Sequence, residues 1–308
     1  MITLFNHENS PVWSTKNGAI AKSANGAKSY SKVITEYYFP VFKKLIQLAD
    51  GNPLTAVNNK NTAVITVTTE NSPIRFGDYQ RIFLFLHECR YRQQPTIARA
   101  KRFAEMNSHA EVWFIVWEED TAEELRRHKL NALFLPMAID VEEIRSHMVN
   151  SKKNNRIIWF GNIREQKRPY YKYFLSECRK QGITVDTISG SRFNNSKDYK
   201  MDRDDILRCL QYYKYGVGVG ICAHEMSALG LKVFIYSYNY KCNCAYTKEQ
   251  GEFFIHRNLC SPELASTLVP NALKNRENMV VIDPVDVRDN VKLLDKSLRK
   301  ILKINDDK

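Results

Sequence analysis

Short apolar runs alternate with amphipathic stretches along most of this chain. Runs of about five apolar or β-branched residues predict strands, and stretches with an apolar residue at every third or fourth position predict helices. In the first half, the predicted strands cover residues 2–5, 63–67, 81–86, 112–117 and 132–135, and the predicted helices cover 29–48, 96–106 and 121–128. Strands that alternate with helices indicate a parallel sheet with helices on both faces.

The alternation restarts after a polar segment, residues 141–155, which marks the predicted domain boundary. Beyond it the pattern predicts strands at 156–160, 183–188, 215–219, 232–237 and 279–282, and helices at 169–180, 203–213, 224–229 and 286–303. Two such units in succession predict an α/β protein with two doubly wound parallel-sheet domains facing a central cleft. The predicted domains are residues 1–150 and 151–308, with the final helix able to pack back on the first domain.

The composition allows two hydrophobic cores and adds a strong positive charge. The chain has 308 residues, 44% of them hydrophobic, with a formal net charge of +12 and a pI near 9.3. Such a surface attracts anions, so a nucleic acid, an anionic membrane face or nucleotide phosphates are expected partners; charge that serves solubility alone is the alternative. The longest apolar runs fall short of the roughly 20 residues of a membrane helix. We expect no transmembrane segment and, without a secretory signal, a cytoplasmic location.

The cysteines and histidines do not form a recognisable metal site. Seven cysteines are scattered along the chain, which favours reduced thiols over a disulfide framework. Cys242 and Cys244 are close, but a C-x-C pair without a second pair is weak evidence for zinc. The histidines show no H-x-x-x-H spacing. We therefore predict no metal and no cofactor.

The strand at 156–160 runs directly into a glycine and a basic loop. A glycine at a strand end lets the backbone approach a ligand closely, and the helix that follows presents free N–H groups. Cations at the same place suit a diphosphate, although a solvated basic loop would have the same composition. The predicted diphosphate-binding residues are Gly161, Asn162, Arg164, Lys167 and Arg168.

Glu225 is an acidic residue in a stretch of glycines and apolar side chains. It follows the strand at 215–219, Gly220 and the predicted helix start near His224. A carboxylate in a first helical turn is favoured by the helix dipole, which would explain it without a ligand. At the carboxyl edge of a sheet, it could instead accept hydrogen bonds from the hydroxyls of a ribose.

The segments "IIWFGNIREQKRP" and "VGVGICAHEMSALGLKVF" resemble the second domain of retaining glycosyltransferases with the GT-B fold, the family-4-like group. The resemblance implies that the basic loop and Gly220 bind the donor and that Glu225 contacts the donor ribose. The segment "EVWFIVWEEDTAEELRRHKLNALFLPMAID" resembles the end of the family's first domain, with Ala138 in place of a glycine. Two departures are Val217, where the family has a second glutamate, and Lys232 in place of a proline.

His87 follows the strand at 81–86. The resemblance implies that a histidine there lies in the interdomain cleft and contacts the donor sugar; a histidine with an ordinary partner at a strand end is the alternative. Glu88 and Arg90 could pair with each other or bind the acceptor. The predicted catalytic residues are His87, Arg164 and Lys167.

The resemblance implies a retaining hexosyl- or pentosyltransferase that uses a nucleotide-diphosphate sugar without a metal. Its basic N-terminal domain would then face the acceptor. A compact, basic enzyme of this kind is similar to bacteriophage enzymes that glycosylate hydroxymethylated pyrimidines in DNA, which would place it in the host cytoplasm. The expected partner is duplex DNA, and the predicted contacts are Lys22, Lys28, Arg90, Arg92, Arg99, Lys101 and Arg102.

Two other functions fit the same residues. A bacterial surface-polysaccharide transferase would use a basic first domain to dock on anionic lipid. A non-catalytic nucleic-acid-binding protein on a transferase scaffold would explain the missing glutamate at Val217. The sequence predicts neither the sugar nor an oligomeric state.

Overall fold

The computed structural model describes residues 2–6, 33–49, 62–67, 79–86, 93–117, 119–161, 163, 168–189, 203–218, 221–235, 273–274 and 283–304. The chain divides into two compact units. Unit 1 comprises Met1–Pro136 and Arg288–Lys308, and unit 2 comprises Met137–Val287. Both are α/β, with parallel sheets.

Unit 1 is built on a five-stranded parallel sheet. Its strands are β1 (Ile2–Asn6), β2 (Thr62–Val67), β3 (Arg81–Leu86), β4 (Glu111–Val116) and β5 (Asn131–Phe134). Its helices are α1 (Phe39–Ala49), which continues a π-helical turn at Val33–Tyr38, α2 (Gln93–Met106) and α3 (Glu119–Arg127). The predicted strands and helices of this half all have a counterpart among these elements.

Helices cover both faces of this sheet because β3 is apolar on both faces. Successive side chains of a strand point to opposite sides. On one side, Phe42 of α1 packs edge-on against Phe83, with ring centroids 5.1 Å apart, and against Phe85 at 6.3 Å. On the other side, Ile82 and Leu84 join a buried cluster with α2 and α3. A strand buried on both faces appears in the sequence as a continuous apolar run.

The strand order of unit 1 differs from the doubly wound order that we predicted. The described strands lie in chain order, β1-β2-β3-β4-β5, whereas a doubly wound sheet reverses direction part-way. Hydrophobic patterns define where strands lie in the chain but carry little information on which strands pair.

Unit 2 contains a four-stranded parallel sheet whose strand order does reverse part-way along the chain. Its elements, in chain order, are α4 (Val141–Ser146), β6 (Asn154–Phe160), α5 (Arg168–Lys180), β7 (Val185–Ile188), α6 (Arg203–Leu210), β8 (Tyr213–Gly218), α7 (Ile221–Ala228) and β9 (Lys232–Ile235). The order is β7-β6-β8-β9. The chain moves outward from β6 to β7 and returns to the opposite side of β6 with β8. The carboxyl ends of β6 and β8 therefore form a topological switch point, where open α/β sheets bind ligands.

Aromatic packing fixes α5 against β6. The Trp159 ring meets Tyr171 nearly edge-on, with centroids 4.9 Å apart, and Phe174 at 5.8 Å. Both Trp159 and Phe174 are buried, together with Tyr215 and Val217 of β8. This core supports the central strands β6 and β8, whose ends form the switch point.

The polar segment at the predicted domain boundary is partly folded into unit 2. Asp140 caps α4 by accepting a hydrogen bond from the Glu143 N–H at 3.0 Å. The backbone of Ile139 bonds to Val285 at 3.0 Å and to Val287 at 2.8 Å. Unit 2 therefore begins at Met137, earlier than the predicted boundary at residue 150. A helix this short buries two residues, so its sequence looks polar.

The last helix, α8 (Val287–Leu302), carries the chain back to unit 1. Its Asn290 side chain, itself buried, donates to the Tyr38 hydroxyl at 3.0 Å and to the Pro136 carbonyl. Burial raises the pKa of Tyr38, and the Asn290 bond opposes that rise only in part. The predicted strand at 279–282 lies outside the described residues.

Within the described ranges, no helix has both the length and the apolar character of a membrane span.

Candidate functional site

Gly161 ends β6 at the switch point of unit 2. Its φ of +136° lies in the region that favours glycine, and its N–H donates to the Ile188 carbonyl of β7 at 3.1 Å. Two residues later, the Ile163 N–H donates to the Ser189 hydroxyl at 3.2 Å. The chain thus turns sharply at the carboxyl end of the sheet, where the sequence predicted a close backbone approach to a ligand.

Glycines in β8 let α7 lie close to the same place. A Cβ at Gly218 would lie 2.6 Å from Met226 Cε, 3.2 Å from the Phe160 carbonyl oxygen and 3.4 Å from the Ala223 nitrogen. A Cβ at Gly161 would lie 3.6 Å from Cys222 Sγ. The first turn of α7 therefore lies against the ends of both β6 and β8, with its N-terminal N–H groups at the switch point.

Glu225 lies in the second turn of α7, because the helix begins at Ile221 and not near His224 as predicted. The first-turn dipole interaction therefore does not account for it. Every residue from Ala223 to Ala228 is buried, and Glu225 is 2% exposed. A carboxylate at this depth requires a partner within the protein.

The partner is Arg203, the first residue of α6. Its Nη1 donates to Glu225 Oε1 at 2.7 Å, and its Nε lies 4.0 Å from Glu143 Oε1. Burial raises the pKa of the Glu225 carboxyl, and the attraction of Arg203 counteracts this only in part. Burial also disfavours charge on Arg203, but Glu225, with Glu143 and Cys222, raises the pKa of its guanidinium above the ordinary value. Arg203 therefore stays cationic.

Two more cations hold the other end of α7. Lys153 Nζ donates to the carbonyls of Leu229 at 3.0 Å and Gly230 at 2.7 Å, and Arg145 Nε donates to the Ala228 carbonyl at 3.4 Å. Positive charge at a helix C-terminus is favourable. Burial lowers the pKa of Lys153. These bonds stabilise α7 at the end away from the switch point.

The structure places three of the predicted donor-binding residues. Gly161 lies at the end of β6, Arg168 opens α5 with a half-buried side chain, and Glu225 lies inside α7. Cys222 Sγ lies near Gly161, and Cys222 is three residues before Glu225 on α7, so the start of α7 lies between Gly161 and the Arg203–Glu225 pair. Asn162, Arg164, Lys167 and Gly220 lie outside the described residues.

The predicted DNA contacts fall mostly outside the described ranges as well, as does His87. Those not described are Lys22, Lys28, Arg90 and Arg92. Arg99, Lys101 and Arg102 lie on α2. At about 100° per residue, Arg99 and Arg102 are about 60° apart around the helix axis, whereas Lys101 is about 160° from Arg99. Arg99 and Arg102 therefore lie on one side of α2, and Lys101 lies on a different side.

Sequence reasoning missed Arg203 and Glu143. Neither belongs to a motif, and Arg203 is 22 residues from Glu225 in the chain. One signal was present: an arginine immediately before Asp204 and Asp205 puts a cation at a predicted helix start, where the dipole opposes it. Val217 is fully buried in β8.

The described residues include no group of three or more acidic, histidine or cysteine side chains placed to hold a metal ion.

No protein family matches the chain, and no curated protein matches it by sequence. Among solved structures, a chain of the Glycosylation Associate Protein (Gap123) complex from Streptococcus agalactiae is similar, with a TM-score of 0.36 and 11% sequence identity. The similarity covers 85% of this chain and 55% of that chain, so this chain spans about half the length of its structural neighbour.

Proposed function

We propose that the protein is a retaining glycosyltransferase of the GT-B type, in which unit 2 binds a nucleotide-diphosphate sugar. The observation that carries the proposal is the switch point of unit 2, where Gly161, the start of α7 and the Arg203–Glu225 pair come together. Nucleotides bind at such points in open α/β sheets, with phosphates at a helix N-terminus.

The chemistry of this site suits a leaving diphosphate. Negative charge develops on the diphosphate as the sugar departs, and preorganised N–H groups and cations stabilise it. The start of α7 and Arg203 supply such groups, and Arg168 is at the start of α5. In this proposal Arg164 and Lys167 add further charge, and His87 keeps the catalytic role that the family resemblance implies.

For the acceptor, we propose a hydroxymethylated pyrimidine in duplex DNA. The net charge of +12 and the arginine pair Arg99 and Arg102 on α2 support a polyanionic acceptor. The enzyme would extrude the target base before transfer. An acceptor on a bacterial surface polysaccharide would use the same donor site.

The buried Val217 favours a second candidate, a non-catalytic nucleic-acid-binding protein. In the family that the sequence resembles, the residue at this position is a glutamate near the transferred sugar. A valine buried in β8 cannot make that contact. Hydrolysis of the donor separates the two functions, since a non-catalytic scaffold would bind DNA but release no sugar.

The direct test is mass spectrometry of nucleosides. DNA containing hydroxymethylcytosine or hydroxymethyluracil is incubated with the protein and a panel of sugar nucleotides, with unmodified DNA as the control. We expect a hexose or pentose mass on the hydroxymethylated nucleoside alone. Donor turnover with a polysaccharide acceptor but not with DNA would favour the surface-polysaccharide transferase.

Transfer should be insensitive to metal chelation, because protein cations replace a divalent ion at the diphosphate. We expect rates in excess EDTA to equal those with added Mg²⁺ or Mn²⁺. A rate that collapses in EDTA and returns only with Mn²⁺ or Mg²⁺ would contradict the metal-free mechanism.

DNA affinity should fall steeply with salt, because each neutralised phosphate releases a counterion. Arg99→Ala with Arg102→Ala should lower the slope of log affinity against log salt by up to about two units, one per lost phosphate contact, with little change in donor affinity. Lys101→Ala alone should lower it by at most about one. Filter binding over a salt series measures these slopes.

The matched control for the salt series is Arg127→Ala on α3. Arg127 already pairs with Glu124 at 2.9 Å, so its loss should leave the slope unchanged. A wild-type protein whose DNA binding is undetectable or independent of salt would rule out the DNA acceptor.

A further inference from the structure

Arg203 is the solvent-facing member of its pair with Glu225. The arginine side chain is 33% exposed and the glutamate side chain 3%, and a 2.7 Å hydrogen bond joins them. A ligand that approaches from solvent therefore meets the guanidinium before the carboxylate. Ribose hydroxyls could reach Glu225 only after Arg203 had moved away.

The guanidinium lies beside the switch point. Glu225, which accepts the Arg203 hydrogen bond, is three residues after Cys222 and so lies on the same side of α7, and Cys222 Sγ lies 3.6 Å from the position that a Cβ of Gly161 would take. Arg203 is thus near the end of β6 and the first turn of α7, where the N–H groups of a helix start attract an anion.

The position of Arg203 is not explained by the helix that it begins. The dipole at the start of α6 favours Asp204 and Asp205 and opposes a cation. Glu225 and Glu143 hold the guanidinium there through Nη1 and Nε. Within the described part of the chain, Nη2 has no hydrogen-bond partner, so its two N–H groups can bind an oxygen of a ligand.

We infer that Arg203 contacts the diphosphate of the nucleotide donor and that Glu225 is the positioning residue that holds its guanidinium. The inference rests on the proposed function, because it concerns the same donor site. The family resemblance implies that Glu225 itself contacts the ribose. In this inference Arg203 makes the ligand contact instead, and Glu225 holds Arg203 in place. The ligand feature that this site recognises is then the diphosphate, not the ribose hydroxyls.

The experiment is calorimetric titration of the full chain with ADP, CDP, GDP, UDP, deoxythymidine diphosphate and inorganic pyrophosphate. The best nucleotide is then compared with its 2′-deoxy or ribo counterpart and with its nucleoside. The test variant is Arg203→Met combined with Glu225→Leu, which removes both charges and leaves no buried ion unpaired. Glu225→Gln, which keeps an oxygen for Arg203, is the second variant.

We expect the double variant to bind diphosphate and pyrophosphate about 10- to 100-fold more weakly, since a hydrogen bond to a charged group is lost. Its affinity for the nucleoside should change by less than about threefold. Wild-type protein should bind the ribo and 2′-deoxy diphosphates within about threefold of each other. Glu225→Gln should lose less diphosphate affinity than the double variant.

The matched control is Lys153→Met, which removes one cation from the opposite end of α7. It should bind diphosphate as the wild type does. Wild-type diphosphate affinity in a folded double variant would overturn the role of Arg203. A strong preference for the ribo form that Glu225→Gln abolishes would return the ligand contact to Glu225. Both outcomes leave the donor site standing, whereas no binding of any diphosphate by the wild type would overturn the proposed function as well.

Discussion

Arg203→Met should lower the free energy of unfolding by about 3 kcal/mol at pH 7, because it leaves the Glu225 carboxylate buried without its cation. This value is at the lower end for a broken buried pair, since Arg203 is one-third exposed and water can enter. Urea unfolding of the wild type and the variant measures it.

The loss should shrink in acid. The pKa of Glu225 in the folded protein is already above its ordinary value, and removal of Arg203 raises it further. Between the ordinary and the folded pKa, the folded state binds more protons than the unfolded state, so stability falls as pH rises through that window. Below the ordinary glutamate pKa the carboxyl is neutral in both states. The curves of stability against pH for the variant and the wild type should therefore approach each other at low pH.

Two controls separate this effect from general damage. Adding Glu225→Leu to Arg203→Met should recover most of the lost stability, because no buried charge remains. Arg156→Met breaks a more exposed pair with Asp186 and should cost less than about 1 kcal/mol. An equal loss at every pH, with no recovery in the double variant, would contradict the assignment.

Gly218→Val should destabilise unit 2 by about 2–3 kcal/mol, and it should weaken nucleotide binding because it displaces the start of α7. Two of the atoms that a new Cβ would meet are backbone atoms, the Phe160 oxygen and the Ala223 nitrogen. Met226 Cε can move aside, but the backbone atoms at 3.2 and 3.4 Å leave no room for the two further methyl groups of valine, so the helix must move from the strand ends. Thermal unfolding and diphosphate titration measure the two effects.

Gly216→Ala is the informative comparison. Its Cβ would meet side-chain atoms, at 2.4 Å from Met226 Sδ and 3.3 Å from Leu231 Cδ2. Met226→Ala should therefore cost less stability in the Gly216→Ala background than it does alone. In the Gly218→Val background, the same Met226→Ala change should restore little of the lost stability. Similar relief at both positions would mean that Met226, and not the backbone contact, sets the distance between α7 and β8.

The sequence predicted most elements of both units because their patterns are local. Strand β3 is a continuous apolar run, and α5 and α8 have a clear apolar stripe. Helix α7 is buried on all sides, so it lacks a polar face to define its period, and its start was predicted three residues late. Helix α4 was not predicted for the opposite reason: it buries only Val141 and Ile144, which is too few to show an apolar stripe.

The candidate site was only half predictable. Gly161 and Glu225 belong to motifs that are continuous in sequence, and both lie near the switch point. The ion pair depends on the side chain of Arg203, at the start of α6, reaching Glu225 of α7, which is a property of tertiary packing. A carboxylate and its cation from separate helices leave no pattern in the chain, so the partner of Glu225 became visible only in the structure.

The return of α8 to unit 1 makes that unit discontinuous in the chain. All of unit 2 lies between the two parts of unit 1. During synthesis, the residues of unit 2 are made before Arg288 and the remainder of α8, and the phenol of Tyr38 stays without Asn290 until then. The unit that begins first therefore cannot complete its fold until unit 2 has been made, and a chain truncated before residue 288 would keep every residue of unit 2 while its unit 1 lacked the buried partner of Tyr38.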